Sequence, residues 1–295
     1  MSQIEERRRL ADSSTAAVAH ARNNPLLALG SALGLVLAVL ALSAPLLSPS
    51  PADVAAAVHL EETLEPPSWS HPFGTDQLGR DLLTRVLYGA RVSLRIAVLV
   101  LLLACAVGVP LGIVAGYFGG RVDDVIMRVV DIFLAFPPLL LALALVAVLT
   151  PSIGSATIAL AVAWWPWYAR LARGQASSVA GRQLVESCRA LGLSDARIVF
   201  RHVLPNAVTP ILVQVSLDLG GVILVSAAMS FLGLGAQDPI PEWGLMVSQG
   251  RSYFLTHWWV VTFPGAAILL AAMASNLIGD GLRDLLDPKR SMLPS

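Results

Sequence analysis

Val185-Glu186-Ser187-Cys188-Arg189-Ala190-Leu191-Gly192, followed by Arg201-His202-Val203-Leu204-Pro205-Asn206, is a polar, arginine-rich island in an otherwise apolar chain. Of the 295 residues 56% are hydrophobic and only 14% charged. The mean hydropathy is +0.70, far from the balance of a soluble domain. The chain therefore reads as an all-α polytopic membrane protein. An island of this kind is where such a protein meets a soluble partner.

Working outward from the island, the charges are bunched. Charge-free runs lie between Arg22 and Asp53, Arg95 and Arg121, Asp131 and Arg170, and Arg251 and Asp280. A bilayer core takes roughly 20 apolar residues per helix, so each run holds at least one span. The run from Asp131 to Arg170 is punctuated by Thr150-Pro151-Ser152-Ile153-Gly154-Ser155, a turn signal, and holds two. A further span tolerates a single carboxylate, Asp218. The expectation is six transmembrane helices at 26–47, 94–117, 125–149, 154–172, 207–232 and 258–280.

These divide the chain into a cytoplasmic tail (1–25), a first helix acting as signal-anchor (26–47), an extracytoplasmic segment (48–93), a core of five helices (94–280) with a cytoplasmic loop at 174–206, and a cytoplasmic tail (281–295). The first apolar stretch exceeds a signal-peptide core, hence an uncleaved anchor. With the N-terminus inside, 15 of the 20 basic residues fall on that side, and Arg80, Arg85, Arg91, Arg95 and Arg251 fall outside. Basic residues accumulate on cytoplasmic loops, which puts both termini in the cytoplasm. Cys105 lies in a span and Cys188 in the loop, so no structural disulfide is expected.

The chain lacks nucleotide chemistry of its own. Lys289 is its one lysine and sits in the C-terminal tail, whereas a phosphate-binding loop needs a lysine beside its glycines. His20, His59, His71, His202 and His257 are scattered along the sequence, so no metal site is expected. Asp123 and Asp124 suit a helix N-terminus. Asp131 lies within a turn of Arg128 and near the inner end of its span, so a local pair or snorkelling accounts for it equally well. Asp218 is an intramembrane carboxylate, a candidate for a substrate or proton role on grounds of cost alone, with a buried hydrogen bond to a neighbouring helix as the alternative. Gly108, Gly112 and Gly116 form a row that lets two helices approach closely. Pro137, Pro138 and Pro264 are expected to kink their helices.

Within the island, apolar residues recur at helical spacing, with Leu184, Cys188 and Leu191 expected on one side. Gly192 suits a sharp helix end. Ser194 can cap a second short helix from Asp195, and Pro205 suits the start of the next span.

Glu186-Ser187-Cys188 with Gly192 and Leu204-Pro205 resembles the E-A-A-x(3)-G…L-P loop of bacterial ATP-binding-cassette importer permeases; Ser187 and Cys188 stand where that loop has alanines. The resemblance extends through His71-Pro72-Phe73-Gly74-Thr75-Asp76-Gln77-Leu78-Gly79-Arg80-Asp81, Ala115-Gly116-Tyr117-Phe118-Gly119-Gly120-Arg121-Val122-Asp123, Ser230-Phe231-Leu232-Gly233-Leu234-Gly235, Pro241-Glu242-Trp243-Gly244, and Gly279-Asp280-Gly281-Leu282-Arg283-Asp284 with Leu286-Asp287-Pro288. These are similar to the C-type permeases of dipeptide, oligopeptide and nickel importers.

The resemblance implies a type I importer permease fold in a bacterial inner membrane. It further implies a B-type permease partner, two cytoplasmic ATPase subunits that bind ATP and magnesium, an external solute-binding protein, and no catalytic residue here. It places ATPase coupling on Glu186, Arg189, Ala190, Leu191, Gly192, Leu193, Ser194, Asp195, Arg197 and Pro205. Asp76, Arg80, Asp81, Glu242 and Trp243 become candidate contacts to the binding protein. Ser226 stands where many peptide permeases carry Glu, and joins Asp218 as a pathway candidate. Small peptides are the expected cargo. Nickel import is the alternative, and a proton-coupled secondary transporter using Asp131 or Asp218 the more distant one.

Overall fold

The computed structural model describes residues 25–181 and 183–286. Arg7, Arg8, Arg9, Arg22, Arg182, Lys289, Arg290 and Asp287-Pro288, used above, lie outside them. The described residues form an α-helical bundle.

Helix α1 (Pro25–Leu47) has no charged side chain over its 23 residues. At 1.5 Å per residue that is about 35 Å, enough for a bilayer core of about 30 Å. Helix α2 (Leu82–Phe118) starts well before the expected residue 94, because the Asp81 side chain accepts a hydrogen bond from the Thr84 amide and caps it. Its 37 residues reach about 55 Å, so its arginine-bearing outer turns stand beyond the hydrocarbon.

The expected span at 125–149 is not one helix. Helix α3 (Gly120–Leu134) and helix α4 (Pro138–Val148) meet at 84°. Pro137 and Pro138 remove two successive amide donors, and the chain breaks there instead of kinking. Helix α5 (Ile153–Ala180) is capped by the Ser152 hydroxyl and runs past the expected end at 172. The island contributes α6 (Gln183–Ala190) and α7 (Asp195–Ile198). Helix α8 is Leu204–Phe231, α9 is Trp243–Gly250 and α10 is Trp259–Leu286.

Each of the six expected regions is thus largely helical, but the count of six spans is not reproduced by length and composition. Four helices, including α1, α2, α10 and α8 with its lead-in from Asp195, are long and apolar enough, and the bent α3/α4 pair would make five. Helix α5 has the length, but Trp164, Trp165, Pro166, Trp167, Tyr168 and Arg170 dilute its hydropathy.

The most extensive packing joins α2 to α5, and the glycine row explains it. A Cβ added at Gly108, Gly112 or Gly116 would strike the carbonyl oxygen of Trp165, Ala169 or Arg173 respectively. Three successive turns of α2 therefore lie directly on the α5 backbone, where dispersion contacts replace the hydrophobic force that lipid does not supply. Helix α10 closes the bundle against α8 and α1.

The outer segment is a polar core of its own, and here an expectation is corrected. Asp76, Arg80, Asp81, Glu242 and Trp243 are at most 3% exposed, so they cannot present a direct contact to a binding protein. Asp76 accepts from Arg80 Nε at 2.7 Å and from the amides of Leu78 and Arg80. Arg80 Nη1 also donates to Asp238 at 3.2 Å. Asp53 accepts from the Asp81 amide and pairs with His59, and His71 pairs with Asp81.

Glu242 caps α9 through the Leu245 amide and accepts from Ser93 on α2. Burial raises the Glu242 carboxyl above its ordinary range, against the pull of those donors. For Asp238 burial acts in the same upward sense, but Gln249 and Arg80 outweigh it and hold the carboxyl low. Charged residues are buried only when paired and hydrogen-bonded. This motif is written for internal pairing, and the segment's exposed side chains lie elsewhere, among them Val58, Leu60, Glu61, Glu65 and Trp69.

Candidate functional site

Helix α6 ends in a sequence-coded turn. The Leu193 amide donates to the Cys188 carbonyl at 3.1 Å and the Gly192 amide to the Arg189 carbonyl at 2.9 Å. That pair of bonds is a Schellman motif, which demands a left-handed residue at its turn. Gly192 supplies it with φ +77°. Four residues separate the two helices, and α7 begins at Asp195. Ser194 occupies the cap position, but its side chain makes no capping bond; the Ile198 amide bonds its backbone carbonyl instead. A π-helical turn, Val199–Val203, then leads into α8, with Pro205 in its first turn.

The loop has a buried root and an exposed tip. Val185, Cys188, Ile198 and Val203 are buried. Glu186, Arg189, Ala190, Gly192, Ser194, Asp195 and Arg197 are exposed, Leu193 is half-buried and Pro205 is exposed at the re-entry. Leu191 does not share the buried side as expected. The turn starts at this residue, so helical periodicity no longer applies, and its side chain is 79% exposed.

One membrane helix reaches up to this loop. The Tyr117 hydroxyl, in the last turn of α2, donates to Asp195 Oδ1 at 2.6 Å. The Arg189 guanidinium lies 5.0 Å above the Tyr117 ring, and its Nε is 3.8 Å from Asp195. Tyr117, buried at the end of α2, thus joins α6, α7 and the longest helix at one point. Sequence reasoning quoted Tyr117 as part of a motif and missed its role.

Two further ion pairs brace the inner half. Arg173 grips Asp123 through Nε and Nη2 at 2.9 and 2.5 Å. Arg170 Nη2 donates to Asp131 at 2.5 Å, so the partner of Asp131 is on α5, which neither a local pair with Arg128 nor snorkelling anticipates.

Midway along α5 and α8 lies a cavity of about 520 Å³, lined by Trp164, Trp167, Arg170, Leu171, Gln214 and Asp218. Asp218 accepts from the Tyr168 hydroxyl at 2.8 Å and from Gln214 Nε2 at 2.9 Å. Ser226 is not brought to this cavity. It is 2% exposed and its hydroxyl donates to the Ile223 carbonyl one turn back.

Residues 108–292 match the family described as binding-protein-dependent transport system inner membrane component. The probable D,D-dipeptide transport system permease protein DdpC of Escherichia coli K12 is 48% identical over 79% of this chain and 78% of its own length. The dipeptide transport system permease protein DppC of Alkalihalophilus pseudofirmus is 45% identical, over 85% of this chain and 82% of its own. The di/tripeptide permease DppC of Pseudomonas aeruginosa is 46% identical over 77% of each. Among solved structures, the inward-facing MetNI methionine ABC transporter superposes with a TM-score of 0.55 at 18% identity, covering 68% of this chain and 96% of that one; this likeness concerns the fold. Matched motifs, helical bundle and the presented inner loop lead to one assignment: the chain belongs to the inner-membrane permease components of binding-protein-dependent transport systems, and is a transport subunit, not an enzyme.

Proposed function

We propose that this chain forms one half of the translocation pathway of an ATP-binding-cassette importer for small peptides. In this reading a B-type permease completes the pathway, two cytoplasmic ATPase subunits bind ATP and magnesium, and an external binding protein delivers the peptide. Both termini lie in the cytoplasm. The peptide assignment leans on relatives whose names specify dipeptide or di/tripeptide transport.

The observation that carries the mechanism is the exposed tip of the α6–α7 loop on its buried root, tied to α2 through Tyr117. ATPase closure presses on Arg189 to Arg197, and the Gly192 turn keeps the two short helices at a fixed angle. The push then reaches α2 through Tyr117 and α8 through the Val199–Val203 turn. From α2 it spreads to α5 along the glycine row. Rigid elements in two packed arrangements are what such rocking requires.

The test is uptake of labelled dipeptide against nickel ion in a strain lacking the chromosomal importer and complemented with the whole one, together with gentle-detergent purification of the complex. Peptide uptake with an ATPase subunit co-purifying is expected. Nickel uptake alone, or solute accumulation in vesicles holding no ATPase, defeats the proposal.

A further inference from the structure

The Asp218 carboxylate has two hydrogen bonds from neutral donors, Tyr168 and Gln214. Among the described residues no cation lies in salt-bridge contact with it, whereas Asp131 and Asp123 are each paired with an arginine. A half-buried charge within the membrane and with no counter-ion in contact is expensive and is retained where function requires it. It also lines the cavity, beside the Arg170 guanidinium and the indoles of Trp164 and Trp167. The volume of about 520 Å³ falls in the range of small-molecule sites, which run from about 300 to 1,000 Å³.

A zwitterion with an apolar middle matches this lining. A carboxylate takes an ammonium, a guanidinium takes a carboxylate, and indole faces accept both apolar side chains and cations. We propose that this cavity is a resting site for the cargo inside the membrane, with Asp218 receiving the protonated amino terminus of a small peptide. Arg170, whose Nη2 is engaged by Asp131, meets the carboxylate end. The inference rests on the peptide reading above.

The competing account is structural: Asp218 merely ties α8 to α5 through Tyr168. Two variants in the complete importer separate them. Asp218→Asn keeps an acceptor for Tyr168 and removes the charge, while Tyr168→Phe removes the interhelical bond and keeps the charge. The proposal expects Asp218→Asn to lower labelled dipeptide uptake by about tenfold, the equivalent of about 1.4 kcal/mol, with subunit abundance and binding-protein-stimulated ATP hydrolysis retained. Tyr168→Phe should keep clearly more uptake than Asp218→Asn does, because it removes one hydrogen bond to the carboxylate and leaves the charge that receives the amino terminus.

Undiminished uptake by Asp218→Asn, or an equal fall in both variants, overturns the proposal. Should Asp218→Asn fail to assemble, the unmodified importer decides. A dipeptide bearing a photoreactive side chain, illuminated during turnover, should label residues 164–171 or 214–218, and labelling confined to other helices overturns the site. Absence of peptide uptake by the unmodified importer instead defeats the function proposed above, and this inference with it.

Discussion

The outer segment and the inner loop carry comparable densities of charge, yet fold by opposite rules. Outside, Asp76, Arg80, Asp81 and Glu242 are sealed from water and bonded internally, Asp76 to Arg80, Asp81 to His71 and the Thr84 amide, and Glu242 to Ser93 and the Leu245 amide. Inside, Glu186, Arg189, Asp195 and Arg197 stay exposed over a small apolar root. A charged motif thus has two physical readings, a framework to be buried or a face to be offered. The neighbours decide which.

The comparison breaks most visibly at Asp76. Asp76→Ala leaves the buried Arg80 guanidinium without its nearest carboxylate, and removal of one member of a buried pair costs about 3–5 kcal/mol. The expected outcome is loss of folded permease, measured as monodisperse protein recovered in detergent. Full recovery with uptake alone impaired would restore a contact role for this residue.

At Gly192 the order of effects should reverse. A Cβ there meets nothing within 4 Å, but φ is +77°, and a left-handed residue with a side chain costs about 1–2 kcal/mol. Gly192→Asp should therefore insert and purify normally while peptide uptake is abolished, because the added carboxylate stands on the face offered to the ATPase. Normal uptake by this variant would contradict the lever assignment.

Legibility in the sequence follows the same divide. The inner loop could be read from local signals, since a Schellman turn needs its glycine and a re-entry helix tolerates its proline within a few residues. Even there, periodicity carried one residue too far misplaced Leu191. The glycine row was readable as close packing, though not which helix would receive it. The burial of Arg80 and Glu242 was not readable, because their partners Asp238 and Ser93 lie 158 and 149 residues away. Tyr117 was hidden for the same reason, its acceptor being 78 residues on. The break at Pro137 and Pro138 was seen as a kink because two prolines fix the local chain but leave open whether neighbours hold the helix together.

A finer cut is Tyr117→Phe, which deletes one hydroxyl and leaves the ring beneath Arg189. Loss of a single part-buried hydrogen bond costs about 0.5–1.5 kcal/mol, so the complex should assemble normally. The effect should appear in coupling: more ATP hydrolysed per peptide imported by reconstituted complex. An unchanged ratio would mean that force enters the bundle through α8 alone.

The smallest expected effect sharpens the comparison through pH. His59 Nε2 lies 2.8 Å from the buried Asp53, and that hydrogen bond, followed by the charge of Asp53, raises the imidazole above its ordinary 6.5. Glu62 and Asp76 act in the same direction. A group raised in the folded state contributes stability that is complete below the ordinary value and fades as pH climbs through the raised one. Among the described residues the inner loop has no histidine paired with a carboxylate, so nothing comparable should happen there. Hydrogen exchange, corrected for intrinsic rates between about pH 5.5 and 8.5 where imidazoles change charge, should show residues 51–62 opening more readily toward the alkaline end while residues 183–203 hold steady. The opposite slope in the outer segment would mean that His59 is neutral in the folded protein and that Asp53 is held by the Asp81 amide alone.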